Sequence, residues 1–269
     1  MDSRTSSLAE LTIQRQSDDE LVIALAGNPN VGKSTVFNAL TGMNQHTGNW
    51  PGKTVATAQG RCRSAQGELV LVDLPGTYSL LAHSAEEEVA RDFICFGHAD
   101  ATIVVCDATC LERSLNLALQ VMEMTDRVVI CVNLLDEARK KRLHIDLAAL
   151  EQALGVPVVG TSARSRRGLR QLMERTAAVA RRQGASTAIP PRYTSLIEKA
   201  IGIIQNALSG LAVDKGPSLR WLAVKLLCGD TGAIRNASAF FGTALDSGPV
   251  VCDAVVQAKT LLAESGVQG

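Results

Sequence analysis

Gly27-Asn28-Pro29-Asn30-Val31-Gly32-Lys33-Ser34 follows directly on the apolar run Leu21-Val22-Ile23-Ala24-Leu25-Ala26 and leads into an amphipathic segment. A buried strand therefore enters a glycine-bracketed turn that opens a helix, the setting in which G-x-x-x-x-G-K-[ST] reads as a phosphate cradle. Such a turn points several backbone N–H groups into one concavity at the positive end of a helix, which favours an anion such as a diphosphate. Gly27 and Gly32 let the backbone close on the phosphates and Lys33 reaches the β/γ oxygens. Ser34 completes a Mg²⁺ shell through its hydroxyl, and Thr35 follows in the same first turn.

Composition narrows the rest. A chain of 269 residues buries a sizeable core and suits one full domain with a smaller appendage. Lysine plus arginine number 27 and aspartate plus glutamate 27, so no global field draws a polyanion. Aromatic residues at 3% give little for stacking bases. The seven cysteines form no C-x-x-C pair and several, such as Cys106 and Cys131, lie in apolar runs, which implies reduced thiols, a reducing cytoplasm and no structural zinc. His46, His83, His98 and His144 lack ligand spacing. No segment looks like a signal peptide, and no run approaches ~18 apolar residues, so the chain is expected to be soluble and not to cross a membrane.

Residues 1–20 are polar and serine-rich and read as a loose tail. After the cradle, Ser34–Leu40 reads as a helix ended by Gly42, and residues 43–57 as a long mobile loop. Gln59–Ser64 and Leu69–Asp73 flank a hairpin turn at 65–68, and the second strand delivers Asp73-Leu74-Pro75-Gly76. A carboxylate at the carboxyl end of a buried strand, beside a glycine N–H, suits a Mg²⁺ shell and the sensing of a terminal phosphate. Ser84 caps a helix to about Cys95, Ala101–Asp107 is a buried strand, and Leu111–Met124 a helix. Val128–Val132, a helix over Ile145–Leu154, a last strand over Val156–Gly160 and a helix from Gly168 to about Arg182 complete a doubly wound α/β domain over residues 21–185. Beyond the linker-like stretch 184–191 the periodicity is helical, around Tyr193–Ile204, Leu219–Leu227 and Cys252–Leu262, so residues 186–269 are expected to form a small helical domain.

Asn133-Leu134-Leu135-Asp136 bears on which base is held. A carboxylate beyond a strand end accepts hydrogen bonds from both the ring N–H and the exocyclic amine of guanine, whereas adenine leaves that buried charge unpaired, at a cost on the order of a few kcal/mol. Asn133 would join the cradle to the loop Thr161-Ser162-Ala163, whose backbone at Ser162 and Ala163 could donate to the guanine carbonyl oxygen.

Together these motifs resemble the translation-factor-related GTPases. Gly48-Asn49-Trp50-Pro51-Gly52-Lys53-Thr54-Val55, Asp73-Leu74-Pro75-Gly76-Thr77-Tyr78-Ser79-Leu80, Asn133-Leu134-Leu135-Asp136-Glu137-Ala138 and Arg220-Trp221-Leu222-Ala223-Val224-Lys225-Leu226-Leu227 are similar to the N-terminal cytosolic region of ferrous iron transport protein B, over roughly residues 21–265. The resemblance implies a GTP/GDP-binding domain, a helical domain that couples to a membrane domain and affects GDP release, and a place on the cytoplasmic face of the bacterial inner membrane. It implies that Thr54 meets Mg²⁺ and the γ-phosphate, with Thr47 and Thr57 as weaker candidates. Asn30 would hold K⁺ with the carbonyls of Gly48 and Trp50, where the ion would offset charge in phosphoryl transfer. Two departures stand out: Thr77 occupies the position of the water-orienting glutamine of Ras-like enzymes, so slow turnover is expected, and Ala56 replaces this family's usual acid.

The reading is thus a slow, K⁺-assisted GTPase whose loops 43–57 and 74–85 act as switches, with Lys33, Thr54, Asn30 and Gly76 in the hydrolytic machinery. Two rivals stay open, a K⁺-dependent GTPase acting on RNA or the ribosome and a non-hydrolysing GTP sensor. No nucleic-acid partner is expected, and self-association is left open. Trp50 has the plainer reading of a cap on apolar surface, the arginines between 164 and 182 that of a solvated helix face, and Trp221 that of core.

Overall fold

A computed structural model describes residues 13, 15, 17, 19–42, 45–50, 54–64, 67–183 and 188–265. The expected tail over 1–12, the turn residues 65–66, linker residues 184–187 and parts of the 43–57 loop lie outside the described residues. The chain divides into two compact units, Leu11–Pro190 and one that includes Pro191–Gly269.

The first unit is built on a seven-stranded sheet in the order β2-β3-β4-β1-β5-β6-β7. Its central strand, β1 (Leu21–Gly27), is buried at every position, which is why it reads as an unbroken apolar run without alternation. It pairs in parallel with β4 (Gly67–Asp73) on one side and β5 (Ala101–Asp107) on the other. Next come β6 (Val128–Asn133) and the short β7 (Val158–Gly160), also parallel. At the other edge β3 (Ala56–Ser64) runs antiparallel to β4, and β2 (Gln45–Asn49) antiparallel to β3. Registers of Leu25 with Asp73, Gly27 with Val105 and Asp107 with Asn133 bring the carboxyl ends of β1, β4, β5 and β6 to one edge.

Helices cover the sheet. One face packs Leu21, Ile23 and Leu25 against Val36 and Phe37 of α1 (Lys33–Thr41) and Leu172 and Met173 of α6 (Leu169–Ala180). Gly42 ends α1 in the left-handed region, its N–H bonding Asn38 O. α2 (Ala85–Phe96) starts at Ser84, whose hydroxyl accepts from Glu87 N, with Glu86, Glu87 and Glu88 against the positive end of the helix. α3 spans Leu111–Met124, as its leucine spacing predicts, and α5 (Leu147–Leu154) starts at the cap Asp146. Two elements depart from expectation. Part of the 43–57 loop is the edge strand β2, held by pairing with β3 and not by its own polar sequence, and α4 (Leu135–Lys140) is a single short helix after β6.

Among the described residues the second unit contains α7 (Ser195–Ala207), α8 (Leu219–Cys228), α9 (Thr231–Phe241) and α10 (Pro249–Glu264), one helix more than the three apolar faces predicted. α9 carries mostly small residues on its buried side, Ala233, Ile234 and Ala237, so its apolar stripe is faint in sequence. Trp221 is core, 1% exposed. Arg220 clasps both oxygens of Glu198 at 2.7 Å and also donates to Pro191 O at 2.7 Å, tying the start of the unit to α8.

The Arg220 hydrogen bonds hold the Glu198 carboxyl down to about 2, against an ordinary 4.5. Because the folded value lies below the unfolded one, the clasp contributes fully above about pH 4.5 and is lost as pH falls towards 2. An NMR titration of Glu198 is expected to show this depressed value in the native chain and a return towards the ordinary one in Arg220→Ala; an unshifted native titration would refute the clasp.

Candidate functional site

The cradle hangs between β1 and α1. A Cβ at Gly27 would lie 2.8 Å from Val105 O, so only glycine lets β1 end this close to β5. The chain then turns through two left-handed residues, Asn30 at φ +67° and Gly32 at φ +81°, and a Cβ at Gly32 would stand 2.6 Å from Asn133 Nδ2. Gly32 is the N-cap of α1 and no side chain caps that end, which leaves the first-turn amides to an external acceptor. Ser34 and Thr35 are exposed on this turn. Asn28 is buried at 4% exposure and its Oδ1 has no hydrogen-bond partner.

Lys33 crosses from the cradle to the end of β4, where its ammonium donates to Asp73 Oδ1 and, at 2.6 Å, to Leu74 O. Burial raises the Asp73 carboxyl above the usual carboxylate range, while the charge and hydrogen bond of Lys33 pull it back. Gly76 lies in van der Waals reach of the cradle, its Cβ position 3.5 Å from Pro29 Cα. The segment beyond is pinned from outside: Leu80 N donates to Gln120 Oε1 at 2.8 Å, Ser79 Oγ to Glu87 Oε1 at 2.8 Å, and Arg113 stacks 4.3 Å from the centre of the Tyr78 ring. Thr77 is buried within it.

Asn133 is wholly buried and makes three bonds. Its Nδ2 donates to Val31 O at 3.1 Å, and its Oδ1 accepts from Thr161 Oγ1 at 3.0 Å and Ala163 N at 3.1 Å. The cradle, the end of β6 and the 161–163 loop are thereby one piece. Asp136 sits at the start of α4, its amide donating to Ser162 Oγ at 3.2 Å. In the structure Ser162 N donates to Arg167 O at 3.1 Å and Ala163 N to Asn133 Oδ1 at 3.1 Å, so a guanine oxygen would have to displace these acceptors.

The residues implied to hold potassium lie on separate elements, Asn30 after β1 and Gly48 and Trp50 in and beyond β2. β2 is three strands away from β1, roughly 14 Å at ~4.8 Å per strand. Gly48 there is exposed with open space around it. Trp50 is 3% exposed, its backbone N–H bonded to Val55 O at 2.7 Å and its ring 5.2 Å from Phe93, so it caps apolar surface on α2. Among the described residues no hydrogen bond joins Asn30 to either. Thr54 and Thr47 are exposed and Thr57 carries a buried hydroxyl without a partner. For magnesium the donor set does fit: the Ser34 hydroxyl and the Asp73 carboxylate are hard oxygens flanking Lys33, and Mg²⁺ takes few protein ligands beside phosphate oxygens and water. Among the described residues no three His, Cys, Asp or Glu side chains gather as a metal cluster.

Sequence reasoning missed Val31 O, Leu74 O and Gln120. Main-chain acceptors carry no residue signature, and Gln120 reaches Leu80 across 40 residues.

Against known proteins, the family model described as ferrous iron transport protein B matches residues 21–176, and that of the FeoB cytosolic helical domain residues 193–259. The Fe(2+) transporter FeoB of Escherichia coli (strain K12) is 37% identical over 216 residues, 78% of this chain and 27% of the transporter. A Fe(2+) transport protein A/Fe(2+) transporter FeoB fusion protein of Porphyromonas gingivalis is 35% identical over 235 residues, 85% of this chain and 28% of its own length. This chain thus spans little more than a quarter of the curated relatives it matches. Among solved structures, the cytosolic domain of the T. maritima FeoB iron transporter in apo form is similar with a TM-score of 0.73 at 33% identity, covering 91% of this chain and 98% of that one. The same domain in GDP form I gives 0.74 at 32%, covering 91% and 97%.

Replacing Asn133 by alanine strands Val31 O and Ala163 N in the interior. We expect Asn133→Ala to lower the unfolding free energy by about 2–4 kcal/mol, read as a lower urea midpoint at unchanged slope; a shift within error of zero would show that Asn133 is not the joint.

Proposed function

Since the chain belongs to the ferrous iron transport protein B family, as its P-loop GTPase domain and the helical domain that follows, we propose that it binds a guanine nucleotide at residues 27–35 and hydrolyses GTP slowly. The GDP carried by the T. maritima relative supports this, and so does the observation that carries most weight: Lys33 reaches across an uncapped helix start to Asp73 and Leu74 O. An ammonium satisfied by one carboxylate and one carbonyl exchanges them for β/γ-phosphate oxygens without being buried unpaired.

The phosphates lie on the amides of Asn30 to Thr35, and Lys33 turns onto the β/γ oxygens. This releases the Asp73 carboxylate, which with Ser34 and Thr54 would hold Mg²⁺; that ion, when bound, offsets the phosphate charge. Asp136 accepts from the guanine ring N–H and amine. The Ala163 amide reaches the guanine carbonyl oxygen by giving up its bond to Asn133. Gly76, already against Pro29, senses the γ-phosphate through its N–H and draws the 77–83 segment off Gln120 and Arg113. Potassium stimulation through Asn30, Gly48 and Trp50 would require β2 to leave β3. In the whole protein the two loops would report nucleotide state through the helical domain to a ferrous-iron-conducting membrane domain. The chain divides for this purpose near the linker 184–191.

Under multiple turnover with GTP and Mg²⁺, Lys33→Ala is expected to lose about 10²-fold or more of the wild-type rate, because a charge aimed at the transferred phosphoryl is removed. Comparable turnover in the variant would contradict the assignment. No phosphate release by the wild type in a single-turnover assay would favour a GTP sensor instead.

A further inference from the structure

The basic run Arg139-Lys140-Lys141-Arg142 spans the end of α4, and Arg164, Arg166 and Arg167 stand in the loop between β7 and α6. The fold brings the two together. Leu135 N donates to Thr161 O and Asp136 N to Ser162 Oγ, both at 3.2 Å, so α4 and the 161–168 loop leave the sheet edge side by side. The Glu137 hydrogen bond raises the Lys140 ammonium above its ordinary range, and Arg164 is near enough for its charge to work against that rise.

This charge is not neutralised locally. Arg139, Lys141, Arg142, Arg164, Arg166 and Arg167 are all exposed and have no ion pair among the described residues, whereas Lys140 has one with Glu137 at 2.9 Å. α1, which packs against the loop at 163–165, carries no acidic residue. Of the acids around α5, Asp146 caps Ala149 N and Glu151 pairs with Arg175, which leaves Asp136 at the start of α4. In a chain of zero net charge the excess is therefore a local feature. A solvated helix face accounts for the arginines of α6, where Arg170 stands 3.8 Å from Glu174, but Arg164, Arg166 and Arg167 precede that helix. Arg142 and Arg166 moreover both sit at φ +57°, a left-handed backbone that glycine adopts at less cost. A charge is kept there against the backbone preference.

Beside the charge the surface is apolar and not aromatic. Leu143, next to the basic run, is 44% exposed, and beyond it α5 turns Ala148, Ala149, Gln152 and Ala153 to solvent, a helix side without charge. Residues 131–183 contain no Phe, Tyr or Trp on which a nucleic-acid base could stack. Unpaired cations next to an exposed leucine suit a bilayer of anionic lipid, whose headgroups meet the charges while the leucine enters the interface. The E. coli relative is a Fe(2+) transporter of which this chain spans 27%, and a working place beside a bilayer rests on the function proposed above.

We propose that residues 139–143 together with Arg164, Arg166 and Arg167 form a docking surface for anionic lipid headgroups. The contact needs no nucleotide, so its failure would leave GTP turnover, the test of the proposed function, untouched. The full chain without nucleotide is expected to float with vesicles of equimolar phosphatidylglycerol and phosphatidylcholine about tenfold or more better than with phosphatidylcholine alone, and to come off as salt is raised. Arg139→Glu, Lys141→Glu and Arg164→Glu combined, all exposed and so compatible with folding, are expected to weaken that binding about tenfold or more while circular dichroism stays native. The same reversal at the exposed Arg235 and Lys259 of the second unit is expected to leave it unchanged. Equal binding to the two vesicles, binding unchanged in the triple variant, or an equal loss in the Arg235 and Lys259 variant would each overturn the proposal. Displacement from the vesicles by poly(U) at equal phosphate concentration would also overturn it, in favour of RNA.

Discussion

One buried carboxamide holds the site together. Asn133 reaches Val31 in the cradle with its nitrogen and Thr161 and Ala163 with its oxygen, so two loops, one 102 and the other about thirty residues from it in sequence, are tied to the end of β6. Its polar atoms are removed from water, so each bond withdrawn leaves a partner unsatisfied in the interior. Gly32 is part of the same constraint: any side chain there would displace the Asn133 nitrogen. The cradle and the 161–163 loop are thus held in fixed separation by protein atoms alone, before any ligand adds its own contacts.

Around this joint the charges are arranged to be exchanged. Lys33 and Asp73 neutralise one another across the mouth of the cradle, and the loop after Asp73 lies close enough for Gly76 to touch Pro29. An ion pair that is partly buried gains little net stability, because desolvation offsets attraction. It can therefore trade partners for phosphate at small cost. The loop that follows Asp73 is fastened to α2 and α3 by polar contacts at Glu87, Gln120 and Arg113, while Leu74 and Leu80 anchor it in the core. β2 has joined the sheet edge, and Trp50 is seated on Phe93.

How much of this the sequence discloses depends on the range of the interaction. Strands β1, β5 and β6 are legible because burial on both faces demands unbroken apolar runs, and α3 because leucines recur at helical spacing. Asp73, Asn133 and Asp136 are legible because only a strand ending at one shared edge gives such residues a purpose. What was not legible is nonlocal or carried by the main chain. β2 is polar throughout and forms a strand only because β3 offers an edge. α9 buries small residues that leave no stripe, and the amides of Ser162 and Ala163 are engaged by partners that no local pattern names.

Titration of the nucleotide-free chain with GDP and with ADP in the calorimeter, both with Mg²⁺, addresses most directly whether a cradle of main-chain amides and the carboxylate of Asp136 together select guanine. GDP should bind with a favourable stoichiometric heat, and ADP should be weaker by about 10²-fold or more, the penalty of leaving the Asp136 carboxylate unpaired. Equal affinity for the two diphosphates, or no heat with either, would contradict the account.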